Sequence, residues 1–179
     1  GLQKGETLFY EIVGFNDKGT SIMPSHTSDP KEHKEFHSKY PEARHQYKYG
    51  CDVNSESGLG GKFQIYVYRI SFQDQDLNTH DLTWAQTVKR CDELGLKTVP
   101  LLAGPLVLNE TFQKEDLLKL ANKLSDGPST LDTSHTREGV VVIAESSTVQ
   151  RGFKQKGWLF RSLENLIKDN EEYIDPEEV

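Results

Sequence analysis

Arg137-Glu138-Gly139-Val140-Val141-Val142, followed by Phe153-Lys154-Gln155-Lys156, places one carboxylate at the mouth of an apolar run and two ammoniums beyond it. The run from Val140 to Ala144 is β-branched at four consecutive positions and too short for an ordinary helix, so it predicts a strand buried on both faces. A charge at the edge of such a strand costs free energy unless it finds a partner. The polar stretch Glu145 to Gly152 is long enough to reverse the chain and return a second strand, Gly152 to Phe160, beside Glu138. Lys154 and Lys156 then share one face, where they repel each other without an anion between them. This arrangement suits nucleotide chemistry, although a solvated strand end with a surface lysine pair fits the same residues.

The 179 residues suffice for one well-buried domain, expected over 1–169, with an acidic tail over 170–179. A net charge of −7 and a pI near 5.4 exclude holding nucleic acid by bulk electrostatics and leave only a local basic groove on an acidic body. Cys51 and Cys91 form neither a zinc pattern nor a disulfide framework, which fits a reducing compartment. No apolar run approaches a membrane span, so the expected location is cytoplasmic, or a host's cytoplasm for a viral source. Gly1 to Gly5 lead directly into a strand pattern without an initiating methionine, so an N-terminally truncated fragment is expected.

Alternation predicts strands over Thr7 to Val13 and Phe63 to Ser71. In the first, Phe9, Glu11 and Val13 share a face; in the second, Tyr66, Tyr68 and Ile70 do, so that two tyrosines stand side by side. Helical spacing covers Leu82 to Leu94, stopped by Gly95, and Lys114 to Leu124, with Leu117, Leu118, Ala121 and Leu124 as its apolar stripe. A strand is expected over Lys97 to Leu102 and a short helix over Ser162 to Lys168, carrying Leu163, Leu166 and Ile167 inward. Pro24 to Gln46, polar and rich in histidine, predicts a surface excursion with a short helix. Ser55 to Gly61 reads as a loop and Ser125 to Thr136 as a linker. The order of elements gives an α+β domain rather than a regular βαβ alternation.

In this frame the chain resembles the nucleotidyltransferase (adenylation) domain of ATP-dependent RNA ligases of phage and viral type. These belong to the covalent nucleotidyltransferase superfamily, with DNA ligases and capping enzymes. Phe9-Tyr10-Glu11-Ile12-Val13-Gly14 resembles the motif whose glutamate meets the ribose, with Tyr10 where family members commonly have glycine. Ile65-Tyr66-Val67-Tyr68-Arg69-Ile70 resembles the motif whose aromatic residue stacks on adenine, a role that falls to Tyr68; Arg69 stands where an acidic residue often follows. Glu138 matches the glutamate that organises the divalent metal, and Lys154 and Lys156 match the catalytic lysines that contact the α-phosphate. The resemblance runs over nearly the whole chain. It implies an antiparallel-sheet, ATP-grasp-like fold with peripheral helices, ATP (as AMP) and Mg²⁺ or Mn²⁺ as cofactors, and RNA ends bearing a 5'-phosphate and a 3'-hydroxyl as partners. The family's Lys-x-Asp-Gly motif, whose lysine carries AMP covalently, occurs nowhere in these residues. In the family it lies upstream of the Glu11 motif, so truncation accounts for its absence. The alternatives are a DNA ligase, a capping-type enzyme, or a non-catalytic nucleotide- or RNA-binding module without a nucleophile.

Each residue also has a plain reading. Glu138 as a satisfied strand-end carboxylate, Glu11 paired with a cation across the sheet, Tyr68 as a half-buried core tyrosine and the lysines as a solvated pair stand beside the site roles. His33 and His37, four apart, invite a zinc reading, but no glutamate occupies the metalloprotease position and no further ligand spacing accompanies them. Tyr47, Lys48 and Tyr49 fit the wall of a nucleotide pocket or an ordinary core.

Overall fold

A computed structural model describes residues 1–42, 44–107, 114–145 and 150–164. In chain order the elements are β1 (Glu6–Gly14), β2 (His26–Thr27), α1 (Lys34–Lys39), β3 (Arg44–His45), β4 (Phe63–Gln73) and β5 (Thr79–Asp81). There follow α2 (Trp84–Leu94), β6 (Lys97–Thr98), α3 (Lys114–Ser125), β7 (Gly139–Glu145), β8 (Gln150–Lys156) and α4 (Trp158–Leu163). Helices mix with mostly antiparallel sheet, as expected of an α+β chain. The chain divides into two compact units: Gly1–Ile22, Cys51–Pro100 and Ile143–Gly152 form the first, and the remaining segments the second.

In the first unit β4 is central, antiparallel to β1 and β5 and parallel to the two-residue β6. The strand expected over Lys97 to Leu102 is therefore shorter than its apolar sequence suggests. Val67 and Ile70 of β4 pack with Cys91 of α2, and Leu8, Leu82 and Leu96 complete that core. Helix α2 begins where Thr83 and Gln86 form a reciprocal capping box and ends at Gly95, whose φ of 67° is readily available to glycine. Arg90 ties α2 to β1 through two bonds to Glu6, each 2.8 Å, and these hold the Glu6 carboxyl below the usual range.

The second unit corrects several expectations. Pro24 to Gln46 is not a surface excursion, since Ser28, His33, Phe36 and His45 are buried. Phe36 and Tyr47 join Leu159, Phe160 and Leu163 in the unit's core, with Tyr49 partly buried against it, while Lys48 is exposed. Tyr47 is thus a core residue. Ser125 to Thr136 is no linker either: Ser125, Ser129, His135 and Thr136 are buried, and Asp126 Oδ1 accepts a 3.0 Å bond from the Leu159 amide at the start of α4. That helix starts earlier than the expected Ser162, because Gly157 supplies its N-cap and Trp158 already belongs to it; Leu166, Ile167, Lys168 and the acidic tail lie outside the described residues. The second strand accordingly ends at Lys156 rather than Phe160. On α3, Leu118 is exposed, while Ala121 is buried and Leu117 and Leu124 are half-buried as the stripe predicts, with Ser125 buried beside them.

Histidine is an affordable core residue only while neutral. Burial first, and then His37 and His26, hold His45 down to about 4 from its ordinary value of 6.5. Burial also lowers His135. A histidine depressed by folding contributes its full stability above the unfolded value and loses it as the pH falls toward the folded one. In denaturant titrations His45 should therefore add no pH dependence above 6.5 and a loss of about 3 kcal/mol between 6.5 and 4, at roughly 1.4 kcal/mol per pH unit. His45→Gln should flatten that part of the profile.

Candidate functional site

Arg137 anchors the segment that carries Glu138. Its guanidinium donates to the Leu124 carbonyl at 3.0 Å and twice to the Pro128 carbonyl at 3.2 and 3.1 Å, and its amide donates to the Gly127 carbonyl at 2.9 Å. Gly139 then lets β8 come unusually close. A Cβ at this position would lie 2.1 Å from the Gln155 carbonyl oxygen and 2.8 Å from the Lys156 Cα, so any other residue forces the strands apart. The Gly157 amide closes the contact with a 2.9 Å bond to the Glu138 carbonyl.

This approach brings the predicted charges together. Lys154 Nζ donates to Glu138 Oε1, in an ion pair whose side chains are 39% and 36% exposed. Lys156 is more buried, at 16%, and lies 3.7 Å from Glu164 Oε2. The repulsion between the two lysines is therefore answered inside the protein by two carboxylates and does not itself demand an anion. Glu164, which caps α4, was missed in the sequence because the helix was placed too late; the Gly157-Trp158 junction was the available signal. Tyr47 is fully buried, and its hydroxyl has no hydrogen-bond partner among the described residues. Burial, followed by Tyr49, Glu164 and Glu138, pushes its phenol above the usual range, so it stays a neutral donor.

The strand reading of Val140 to Ala144 holds as to element but not as to burial. Val141 and Ile143 are exposed, because among the described residues β7 pairs with β8 alone, in a two-stranded sheet. Glu138 consequently stands at the end of a half-exposed ribbon.

In the first unit, Glu11 is exposed and sits opposite Tyr66 in the β1–β4 register, with no ion pair to it among the described residues. The cross-strand cation of its plain reading is absent there. Phe9 faces Arg69 and Tyr10 faces Val67, so Tyr68 is the extra residue of a β-bulge. The bulge breaks the expected alternation: Tyr66 is 8% exposed and Tyr68 40% exposed, so the two tyrosines do not form a shared exposed surface. Tyr68 lies beside Phe9, with ring centroids 6.4 Å apart, and the Arg69 guanidinium covers the Phe9 ring at 4.5 Å. Arg69 also donates a 2.7 Å bond to Asp81 Oδ1, which explains a cation in its position.

Among the described residues no cluster of three or more His, Cys, Asp or Glu side chains is placed to hold a metal ion. Glu138 is a lone carboxylate, a donor set that fits a hard cation retaining waters and arriving with phosphate, and does not fit an all-protein cage. His33 and His37 do not converge, for His33 Nδ1 meets Ser162 Oγ at 2.6 Å and His37 Nε2 meets Ser28 Oγ at 2.8 Å.

Compared with protein families, curated proteins and solved structures, the chain matches none. Function must therefore be argued from the residues themselves.

The bulge separates two tyrosines that sequence alternation treats alike. Tyr66→Ala should cost about 3 kcal/mol or more, as for other buried aromatics, and Tyr68→Ala less than about 1 kcal/mol. Unfolding of the two variants in denaturant checks this, and equal losses would contradict the register.

Proposed function

We propose that the chain is part of an ATP-dependent RNA ligase of the covalent nucleotidyltransferase type. The observation that carries this reading is the Glu138–Lys154 pair with Lys156 beside it, on two strands that Gly139 allows to close together. A carboxylate and two ammoniums on one short ribbon supply both signs of charge that a nucleotide's phosphates and their cation require.

In this reading Glu11 meets the ribose and Tyr68, exposed by its bulge, offers a π face to the purine. Lys154 and Lys156 donate to the α-phosphate oxygens and stabilise the charge that gathers there as pyrophosphate leaves. Glu138 would hold a Mg²⁺ or Mn²⁺ ion, which supplies Lewis-acid stabilisation of the same oxygens when bound. Nearby positive charge also favours the neutral, nucleophilic form of an attacking lysine. AMP then passes to an RNA 5'-phosphate and is displaced by a 3'-hydroxyl. That attacking lysine is not among these residues, since no Lys-x-Asp-Gly occurs in them. The same observation favours a second reading, a nucleotide- or RNA-binding module that performs no chemistry.

Incubated with labelled ATP and Mg²⁺, the chain should bind nucleotide reversibly and carry no covalent AMP. Lys154→Ala, Glu11→Ala and Tyr68→Ala should each weaken AMP binding by about tenfold, the equivalent of one charge-assisted bond or stacking contact. A preference for GTP over ATP would point to the capping-type alternative, and covalent labelling of these residues would overturn the assignment of the nucleophile. A parent protein that seals nicked DNA in preference to RNA would replace the RNA ligase reading with the DNA one.

A further inference from the structure

We infer that the Glu138–Lys154 ion pair couples cation binding to phosphate binding, so that each ligand strengthens the other; this rests on the nucleotide reading of the site. The Glu138 carboxylate accepts a bond from the Lys154 ammonium, and each neutralises the other. A divalent cation that takes the carboxylate must displace the ammonium and leave it beside a dication. A phosphate that takes the ammonium must draw it from Glu138 and leave that carboxylate beside an anion. Either ligand alone breaks the pair and sets like charges together. Both ligands together break it once and leave every charge matched.

Three further observations support the exchange. Among the described residues no group of three or more ligating side chains surrounds Glu138, so the cation has no protein cage to compensate for the lost ammonium. The pair is more than a third exposed on both sides, and ligands reach it without unfolding the ribbon. Lys156 has its own carboxylate in Glu164, so it does not simply replace Lys154 on Glu138 when the first pair opens. The coupling is reciprocal, as a binding linkage must be: the cation raises phosphate affinity by the factor by which phosphate raises cation affinity.

The test uses AMP and Mn²⁺ as probes, AMP being chosen so that a triphosphate's chelation does not supply the coupling. AMP binding is followed by calorimetry and Mn²⁺ binding by electron paramagnetic resonance, each with and without the other ligand. Saturating Mn²⁺ should tighten AMP binding by about tenfold, within the usual range of such couplings, and AMP should tighten Mn²⁺ by the same factor. In Glu138→Gln, AMP should bind without Mn²⁺ at least as tightly as in the unaltered chain, and the Mn²⁺ effect should vanish. Lys154→Gln should retain Mn²⁺ binding and lose the AMP effect upon it, which keeps the test informative should one variant fail to fold. AMP binding that ignores Mn²⁺ overturns the coupling and leaves the nucleotide reading standing. A Mn²⁺ effect of equal size in Glu138→Gln also overturns it, since the pair would then have no part in it. No AMP binding under either condition overturns the nucleotide reading and the inference with it.

Discussion

The close approach of two backbones at Gly139 is the constraint on which the candidate site depends. With hydrogen in place of a Cβ, the Gln155 carbonyl and the Lys156 Cα fit against the strand, and the Gly157 amide reaches the Glu138 carbonyl. Each of these contacts fixes the backbone on either side of a charged side chain. Glu138 and Lys154 are long and flexible, and the backbone contacts beside them lower the entropy lost when the two side chains meet. Glycine beside glutamate is thus a packing requirement that produces an electrostatic result.

Behind the ribbon the second unit solves an unusual core problem. Its interior contains histidine and tyrosine where aliphatic residues would be expected, and several aromatic rings meet edge to face: His45 on Phe36, His135 on Tyr47 and Tyr49, and Tyr47 on Phe160. Serine hydroxyls take up ring nitrogens, as Ser162 does for His33 and Ser28 for His37. Such a core gains directional contacts that a purely aliphatic one lacks.

Much of the fold was legible in the sequence where local chemistry decides. Gly95 stops α2, and the alternating segments of β1 and β4 mark true strands. Three things were not legible, each because a distant residue overrides a local pattern. The bulge at Tyr68 is a property of the pairing with β1 and is invisible in β4 alone. The burial of the histidine-rich segment depends on α4, far along the chain, and polarity alone suggested solvent. The β-branched run of β7 looked buried because four such residues usually are, yet among the described residues its sheet has two strands. Of the candidate site, Glu138 and both lysines were found by spacing. Glu164 was not, because its place follows from the true start of α4.

Asp81 is almost wholly enclosed and is shared by two donors, the Arg69 guanidinium at 2.7 Å and the Gln150 amide at 2.9 Å. An acidic residue in place of Arg69 would therefore set two carboxylates against each other with little water to screen them. With an acid at position 69 the Asp81 carboxylate would keep only the Gln150 amide of these two donors, so the charge at 69 is dictated by a partner on another strand rather than by the alternation of its own.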